Sequence, residues 1–323
     1  MKKLTLILCF ALVFALSACA DAADPVAQTM TIPSYNADRE LIDLEVPADP
    51  QRIAVLDMAA LDILDALGLG DRIVGSAGVS IDYLKQYDPA GSNGAIVNLG
   101  TVKTADLEKV ALCDPDLIFI GRRLASVYGE LEKIAPVVYL DIDHDQGVVE
   151  STRANAMTIA SIFGLEDKVD AMFDGILPRI DALSEVMLDK EVLLGMYNGS
   201  ALRLMDSEAQ FSIIAKELGA VNLGQTVGEE DKASHGEEAS WETVIRLDPE
   251  YLFILDRNSA VGTAEEGLPG IRDVIENDLI RGLDVYQETK IVYIIDNANI
   301  WYTAVGGIQA LDTMLADLEH ALM

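Results

Sequence analysis

The sequence predicts an α/β protein in which short parallel strands alternate with helices on either side of one long central helix. Three features carry that expectation. From Arg52 onward, short apolar runs alternate with segments of helical spacing, the pattern of parallel βα units. A helical pattern over 166–189 is much longer than its neighbours. Finally, ADLEKVALCDPDLIFI (105–120) aligns without a gap with ASWETVIRLDPEYLFI (239–254), so that Glu108 and Glu242 stand 134 residues apart. Such a repeat fits two βα units of one large sheet, or two similar lobes facing each other. The long helix between the copies favours two lobes.

The elements follow in order. Lys2 and Lys3 precede an apolar run from Leu4 to Leu16, and Leu16-Ser17-Ala18-Cys19 follows. The run is too short for a permanent span and small residues precede the cysteine, so 1–18 reads as a signal peptide cut before a lipid-bearing Cys19. Residues 20–34 are small, polar and Pro-broken, a tether, and Tyr35–Val46 reads as one or two edge strands. IAVLD (53–57) is a strand, AALDILDALGL (59–69) a helix ended by glycines, and RIVGSAG a second strand. ADLEKVALCDPD is a helix stopped at Asp114-Pro115, DLIFIG (116–121) a buried strand, 124–135 a helix and VVYLDI (137–142) a strand. A helix over 152–163 ends at Gly164, and the long helix carries one kink signal at Pro178. The alternation then restarts: EVLLGMYN strand, SIIAKELGA helix, a Gly- and acid-rich loop 224–239, ASWETVIRLDPE helix, YLFILD and IVYIID strands, and a closing helix from Gly306 to Leu322.

The chain has 323 residues, room for two domains, and no apolar stretch after residue 18 long enough for a membrane span. With 23 basic against 54 acidic residues, the net charge is −31. Nucleic acid and anionic lipid surfaces would be repelled. An anionic small molecule is still admitted, provided that arginines cluster locally. Of three cysteines, Cys9 leaves with the signal and Cys19 is lipidated, so Cys113 has no disulfide partner and reads as a small core residue.

No catalytic motif is present: no Gly-x-Ser-x-Gly, no P-loop, no glycine fingerprint after a strand. His144, His235 and His320 share no metal-binding spacing. Parallel α/β lobes bind ligands beyond the carboxyl ends of their strands. The polar residues there are Arg122 and Arg123 after DLIFIG, Tyr197, Asn198 and Arg203 around the strand at 192–205, Arg257 after YLFILD, and Asn299, Trp301 and Tyr302 after IVYIID. Ser234-His235-Gly236 precedes the Trp241 helix. Guanidinium groups suit planar oxygen anions and stack on aromatic rings. Taken singly, each arginine reads as well as a surface ion-pair partner.

IAVLDMAALDILDALGLGDRIVG, LEKVALCDPDLIFIGRR, the long mid-chain helix, SHG, PEYLFILDRN and WYTAVGG, in this order, resemble the iron-siderophore binding proteins of ABC importers, in their catecholate-type subgroup. The resemblance spans nearly all of the mature chain. It implies two Rossmann-like lobes bridged by one long helix, the helical-backbone periplasmic-binding-protein fold, with a shallow cleft and little hinge motion. The expected division is a signal peptide 1–18, a lipid-anchored tether and edge strand 19–49, an N-terminal lobe 50–163, a bridging helix 164–189 and a C-terminal lobe 190–323.

The resemblance places ligand arginines at Arg122 and Arg257. A third family arginine, in a Ser-Arg-Phe-Gly-like segment, meets Ala209-Gln210-Phe211-Ser212 here, so that Gln210 stands in its place and Arg203 or Arg123 would supply the charge, unless the ligand is less anionic. His235 and Tyr302 match residues that complete iron coordination when the chelator leaves sites open, and Trp301 is expected beside them. Glu108 and Glu242 match the pair that docks onto permease arginines. The implied protein is a lipid-anchored monomer, not an enzyme, with no intrinsic cofactor. Ferric iron enters only as part of a siderophore, and the partners are that ligand, the ABC permease and the membrane through its anchor, without nucleic acid. Haem or cobalamin binding is the alternative within binding proteins. A metal-cluster-related enzyme of similar shape is the alternative outside them, and it would need Cys or His clusters.

Overall fold

The computed structural model describes residues 28–226, 237–238, 241–262, 270–275 and 291–323. Two sheets are built from successive halves of the chain. In the first, β3 (Ile53–Val55), β4 (Ile73–Ser76), β5 (Val97–Asn98), β8 (Leu117–Ile120) and β9 (Val137–Tyr139) are all parallel, in the order β5-β4-β3-β8-β9. β3, β8 and β9 are wholly buried, as sheets covered by helices on both faces require. In the second, β10 (Glu191–Asn198), β14 (Tyr251–Asp256) and β15 (Ile291–Ile294) are parallel, and the antiparallel β11 (Ala201–Leu204) and β13 (Glu237–Glu238) extend one edge.

The repeat read in the sequence is present in the backbone. Helix α2 (Leu107–Leu112) and helix α6 (Trp241–Leu247) begin 134 residues apart, and so do β8 and β14. Between helix and strand, Asp114 and Asp248 both stand in the left-handed region, at φ 46° and 51°. Asp tolerates that conformation better than most residues, and the following proline cannot continue the helix.

Helix α5 (Glu166–Met187) has 22 residues, about 33 Å at 1.5 Å per residue. Val169, Phe173, Ile176, Ile180, Leu183 and Met187 form its buried stripe, spaced three and four apart. Pro178 lies inside without ending it. Helix α4 (Val148–Phe163) precedes it and stops at Gly164, which adopts φ 65° as a left-handed cap.

Several expectations are revised. The expected helix over 124–135 is a tight turn, Arg122–Val127, and a single helical turn α3 (Tyr128–Leu131). Val127 and Gly129 are weak helix formers at that junction. The expected SIIAKELGA helix is one wide turn, closed by an i→i+5 bond from Leu218 N to Ile213 O at 3.0 Å. The tether ends sooner than expected, because β1 (Thr29–Tyr35) pairs with β2 (Leu41–Pro47) along its full length. This hairpin is seated on the first lobe. Ser34 Oγ accepts from Tyr139 N at 3.0 Å, and the Tyr35 and Tyr139 rings lie 5.6 Å apart.

The last helix, α10 (Ile308–Leu322), falls in the sequence of the second lobe but packs on the first. Asp62, in helix α1 (Met58–Ala66), accepts from Gln309 N at 2.9 Å and Ala310 N at 3.0 Å, capping α10 from another element. Tyr83 donates to the same carboxylate at 2.6 Å. A Cβ at Gly307 would lie 2.4 Å from that carboxylate carbon, so glycine makes room for the cap. On the other side of α10, Arg179 of α5 donates to Asp312 and Glu319. Among the described residues no helix is long and apolar enough to cross a membrane.

Candidate functional site

The candidate site lies where the carboxyl ends of both sheets meet. On the first lobe β3 leads to Asp57, β8 to Gly121-Arg122-Arg123 and β9 to Leu140, Asp141 and Ile142, and all of these line a pocket of about 150 Å³. Asn155 of α4 and Tyr302, Thr303 and Val305 close it. On the second lobe β10 ends in Asn198 and β14 in Asp256, with Arg257 next. The Asp256 carboxylate accepts from Asn258 N at 3.0 Å and Ser259 N at 3.3 Å, which turns the chain into the short helix α7 (Arg257–Ala260).

Tyr302, on helix α9 (Ala298–Thr303) after β15, joins the two halves. Arg257 Nε donates to its hydroxyl at 3.0 Å and Arg257 Nη1 to Asn198 Oδ1 at 3.0 Å. The Arg257 and Arg123 guanidinium carbons lie 5.5 and 5.3 Å from the Tyr302 ring centre, within cation–π range. Burial acts to raise the phenol's pKa, but the hydrogen bond from Arg257 and the charges of Arg123 and Arg257 outweigh it, so the net shift is downward. The phenolate form is therefore favoured beyond that of an ordinary tyrosine.

Arg122, Arg123 and Arg257 share one property. None makes an ion pair with a carboxylate among the described residues, whereas Arg39, Arg72, Arg153, Arg179 and Arg272 each do. Arg257 is held by Asn198 and the Tyr302 hydroxyl, and Arg122 Nη1 lies 3.2 Å from the imidazole Nε2 of His144. His144 stands in the loop after β9. Its Nδ1 is shielded from solvent, makes no hydrogen bond among the described residues, and lies 3.2 Å from Glu208 Oε2 of the second lobe.

Beneath the arginines, Asp57 caps α1 by accepting from Ala60 N at 2.9 Å. Burial pushes its carboxyl up to about 6, against that hydrogen bond and with help from the nearby charge of Asp141. A Cβ at Gly121 would lie 2.2 Å from Asp57 Oδ2, so only glycine lets the arginine-bearing turn approach this carboxylate.

Of the expected site residues, Arg122, Arg123 and Tyr302 line the pocket, and Arg257, outside that lining, joins them through its contact with Tyr302. The structure removes Trp301 from the cleft: the side chain is 0% exposed, and its indole N–H donates to Asp317 Oδ2 at 2.9 Å. Helical spacing turns neighbouring residues to different sides, so Tyr302 faces the cleft while Trp301 anchors α9. Gln210 is buried at 8% exposure, beside Ala209 with φ 46°, and is not in the pocket lining. Arg203 lies on β11 in register with Met196, also outside that lining. Glu108 is exposed on the first turn of α2, and Glu242 holds the equivalent position in α6. His235 and Cys19 lie outside the described residues. Cys113 is buried, as expected. Asp57 and His144 escaped the sequence reading. Asp57 follows a predicted strand, which was a usable signal, whereas His144 sits in a loop whose course only the tertiary structure gives.

A periplasmic binding protein family profile matches residues 53–298. The petrobactin-binding protein YclQ of Bacillus subtilis is 32% identical over 282 residues, covering 86% of this chain and 84% of that protein. The ferric-anguibactin-binding protein FatB of Vibrio anguillarum is 26% identical, covering 83% and 81%. Among solved structures, YclQ superposes with a TM-score of 0.78 at 29% identity, covering 91% of this chain and 99% of that one. The periplasmic catecholate-siderophore binding protein VctP of Vibrio cholerae superposes at 0.76 and 27% identity, covering 90% and 100%. With both lobes, the joining helix and 246 of its residues matched by the family profile, the chain belongs to the periplasmic binding protein family.

Proposed function

We propose that this protein captures an anionic ferric siderophore of the catecholate class outside the cytoplasmic membrane and hands it to an ABC permease for iron uptake. The observation that carries this reading is that Arg122, Arg123 and Arg257 stand at strand ends of the two lobes without a carboxylate ion pair among the described residues, in a chain of net charge −31. Guanidinium groups outside any ion pair stay open to an incoming oxygen anion, and bonds of that kind exceed neutral ones in strength. The relatives named for petrobactin and anguibactin support a siderophore ligand, and the one named for a catecholate siderophore supports that class. Iron is cargo, carried in with the chelator. When a chelator leaves coordination sites open, Tyr302, its phenol already biased toward ionisation, supplies an oxygen donor, and His235 a second donor.

The test is tryptophan and tyrosine quenching against ferric catecholates, ferric hydroxamates, haem and cobalamin. The reading requires saturable, tightest binding for a ferric catecholate. Preference for haem or cobalamin would replace it.

Two further parts belong to this reading. Glu108 and Glu242 present equivalent carboxylates on the two lobes to basic pockets of the permease. Cys19 carries the lipid that keeps the receptor at the membrane. Its replacement by alanine is expected to release the protein into the soluble fraction with ligand binding intact, and unchanged membrane association would remove the anchor.

A further inference from the structure

We infer that His144 is a positioning residue for the ligand site: it holds Arg122 toward the cleft from a loop that is itself clamped to the opposite lobe. The inference rests on the reading of the cleft as an anion site, and it adds a loop that connects the two lobes at its rim.

The chemistry fixes the roles. Arginine has only donors. The contact of Arg122 Nη1 with His144 Nε2 at 3.2 Å therefore needs a lone pair on Nε2. In a neutral ring the proton then sits on Nδ1, the nitrogen that is shielded from water and 3.2 Å from the Glu208 carboxylate. That tautomer serves Arg122, and it turns an N–H rather than a lone pair toward the nearby carboxylate, without a hydrogen bond to it. The other would set two N–H groups against each other on one side and two lone pairs against each other on the other side.

The surroundings hold the ring there. Lys216, also of the second lobe, donates its Nζ to the His144 backbone carbonyl. Asp143 accepts from Asp145 N at 2.8 Å and from Gln146 Nε2 at 2.9 Å, shaping the loop on both sides of the histidine. The same second-lobe segment caps helix α4: Ser212 Oγ accepts from Val148 N at 2.8 Å, and Glu217 Oε1 from Val149 N at 3.0 Å. Residues 206–217 of one lobe are therefore clamped along 143–149 of the other. Arg122 takes its place at the cleft from that seam. A ring nitrogen in that place, unlike a carboxylate, forms no ion pair with the guanidinium.

The experiment uses the full chain at pH 8. Long-range proton–nitrogen correlation spectra read the tautomer of each histidine, and with three histidines in the chain His144→Gln identifies the signal. The expected state without ligand is Nδ1–H for His144, shifting toward Nε2–H in Arg122→Ala. An Nε2–H ring in the unmutated protein overturns the proposal without reference to any ligand. Affinity is then measured with iron(III) tris(2,3-dihydroxybenzoate) and the ferric catecholates of the quenching panel. His144→Phe is expected to weaken binding about tenfold, roughly 1.4 kcal/mol. His144→Gln, whose amide oxygen replaces the acceptor, is expected to recover most of that loss. The double variant Arg122→Ala/His144→Phe is expected to bind no worse than Arg122→Ala alone. If Arg122→Ala weakens binding while His144→Phe does not, positioning by His144 is wrong and the cleft reading stands. If no ferric chelate binds the unmutated protein, the cleft reading fails and the positioning role fails with it.

Discussion

Replacing Arg257 with alanine is the sharpest test of the cleft. In the free protein its guanidinium spends two donors on neutral acceptors, the Tyr302 hydroxyl and Asn198 Oδ1, each at 3.0 Å. A guanidinium presents five donors in a planar fork, so three N–H bonds remain for a ligand. A hydrogen bond to a charged group contributes about 1.5–3 kcal/mol where the contact is desolvated. At 1.4 kcal/mol per factor of ten, one lost contact weakens binding roughly 10- to 150-fold. Lysine keeps the charge but cannot hold Tyr302 and Asn198 together while offering a planar edge, so Arg257→Lys should fall between alanine and the original. The assay is a quenching titration with a ferric catecholate, alongside a thermal melt. Arg257 makes no carboxylate ion pair among the described residues, so the melt should move little. Unchanged affinity in the alanine variant, with the melt intact, would refute the assignment.

Four other outcomes are expected. Tyr302→Phe removes one oxygen and should shift the charge-transfer band of a tetradentate ferric complex. An identical spectrum and affinity would leave the ring as a stacking surface only. Because the chain carries −31 and screening sets in beyond about 10 Å at 0.1 M salt, association of an anionic chelate should speed up from 0.01 to 0.2 M salt, and a falling rate constant would contradict long-range repulsion. Changing Glu108 and Glu242 together to arginine should abolish uptake in cells with ligand affinity unaltered, whereas surviving uptake would end the docking role. Finally, burial pushes Asp62 up to about 7 from an ordinary 3.8. Between those values the native state holds a proton that the unfolded chain has lost, so its contribution is complete below about pH 4 and disappears as pH rises through 7. The size is on the order of 4 kcal/mol. Urea titrations at pH 4.5 and 7.5 should show a smaller difference in Asp62→Asn than in the original, and an equal difference would exclude Asp62 as its source.

Much of the fold could be read because it depends on local pattern. β10 and β14 lie over the residues that EVLLGMYN and YLFILD mark, since a buried parallel strand is a continuous apolar run. The long helix shows as a stripe at three- and four-residue spacing. The seating of α10 depends instead on Asp62, about 250 residues away in sequence, and on Arg179 of another helix. Nothing near Ile308 records either partner. Within the site, strand-end logic finds Arg122, Arg123, Arg257 and Tyr302, but it cannot tell Trp301 from Tyr302, because both follow β15 and only the packing of α9 decides which is buried. It is equally blind to the contact between His144 and Glu208, which joins two loops from different lobes.

The repeat also bears on how an acidic protein would build the proposed anion site. At the offset of 134 residues that relates α2 to α6 and β8 to β14, Arg123 corresponds to Arg257, and these are the two arginines that flank Tyr302. The neighbouring strands correspond as well: β3, beside β8, ends near Asp57, and β10, beside β14, ends at Asn198. The two lobes thus place one guanidinium each at matching strand ends. They differ in what stands next to it, a carboxylate raised to about 6 on the first lobe and an amide on the second. Two unit charges 4 Å apart interact by about 4 kcal/mol at an effective dielectric of 20, and by about 1 in bulk water. Paired arginines in a partly dehydrated cleft therefore outweigh many acidic residues that lie far off behind water and salt. In the proposed function, the surface charge sets how fast an anion arrives, and the duplicated arginines set whether it stays. Their unlike neighbours, Asp57 and Asn198, make the two halves of the proposed site chemically distinct.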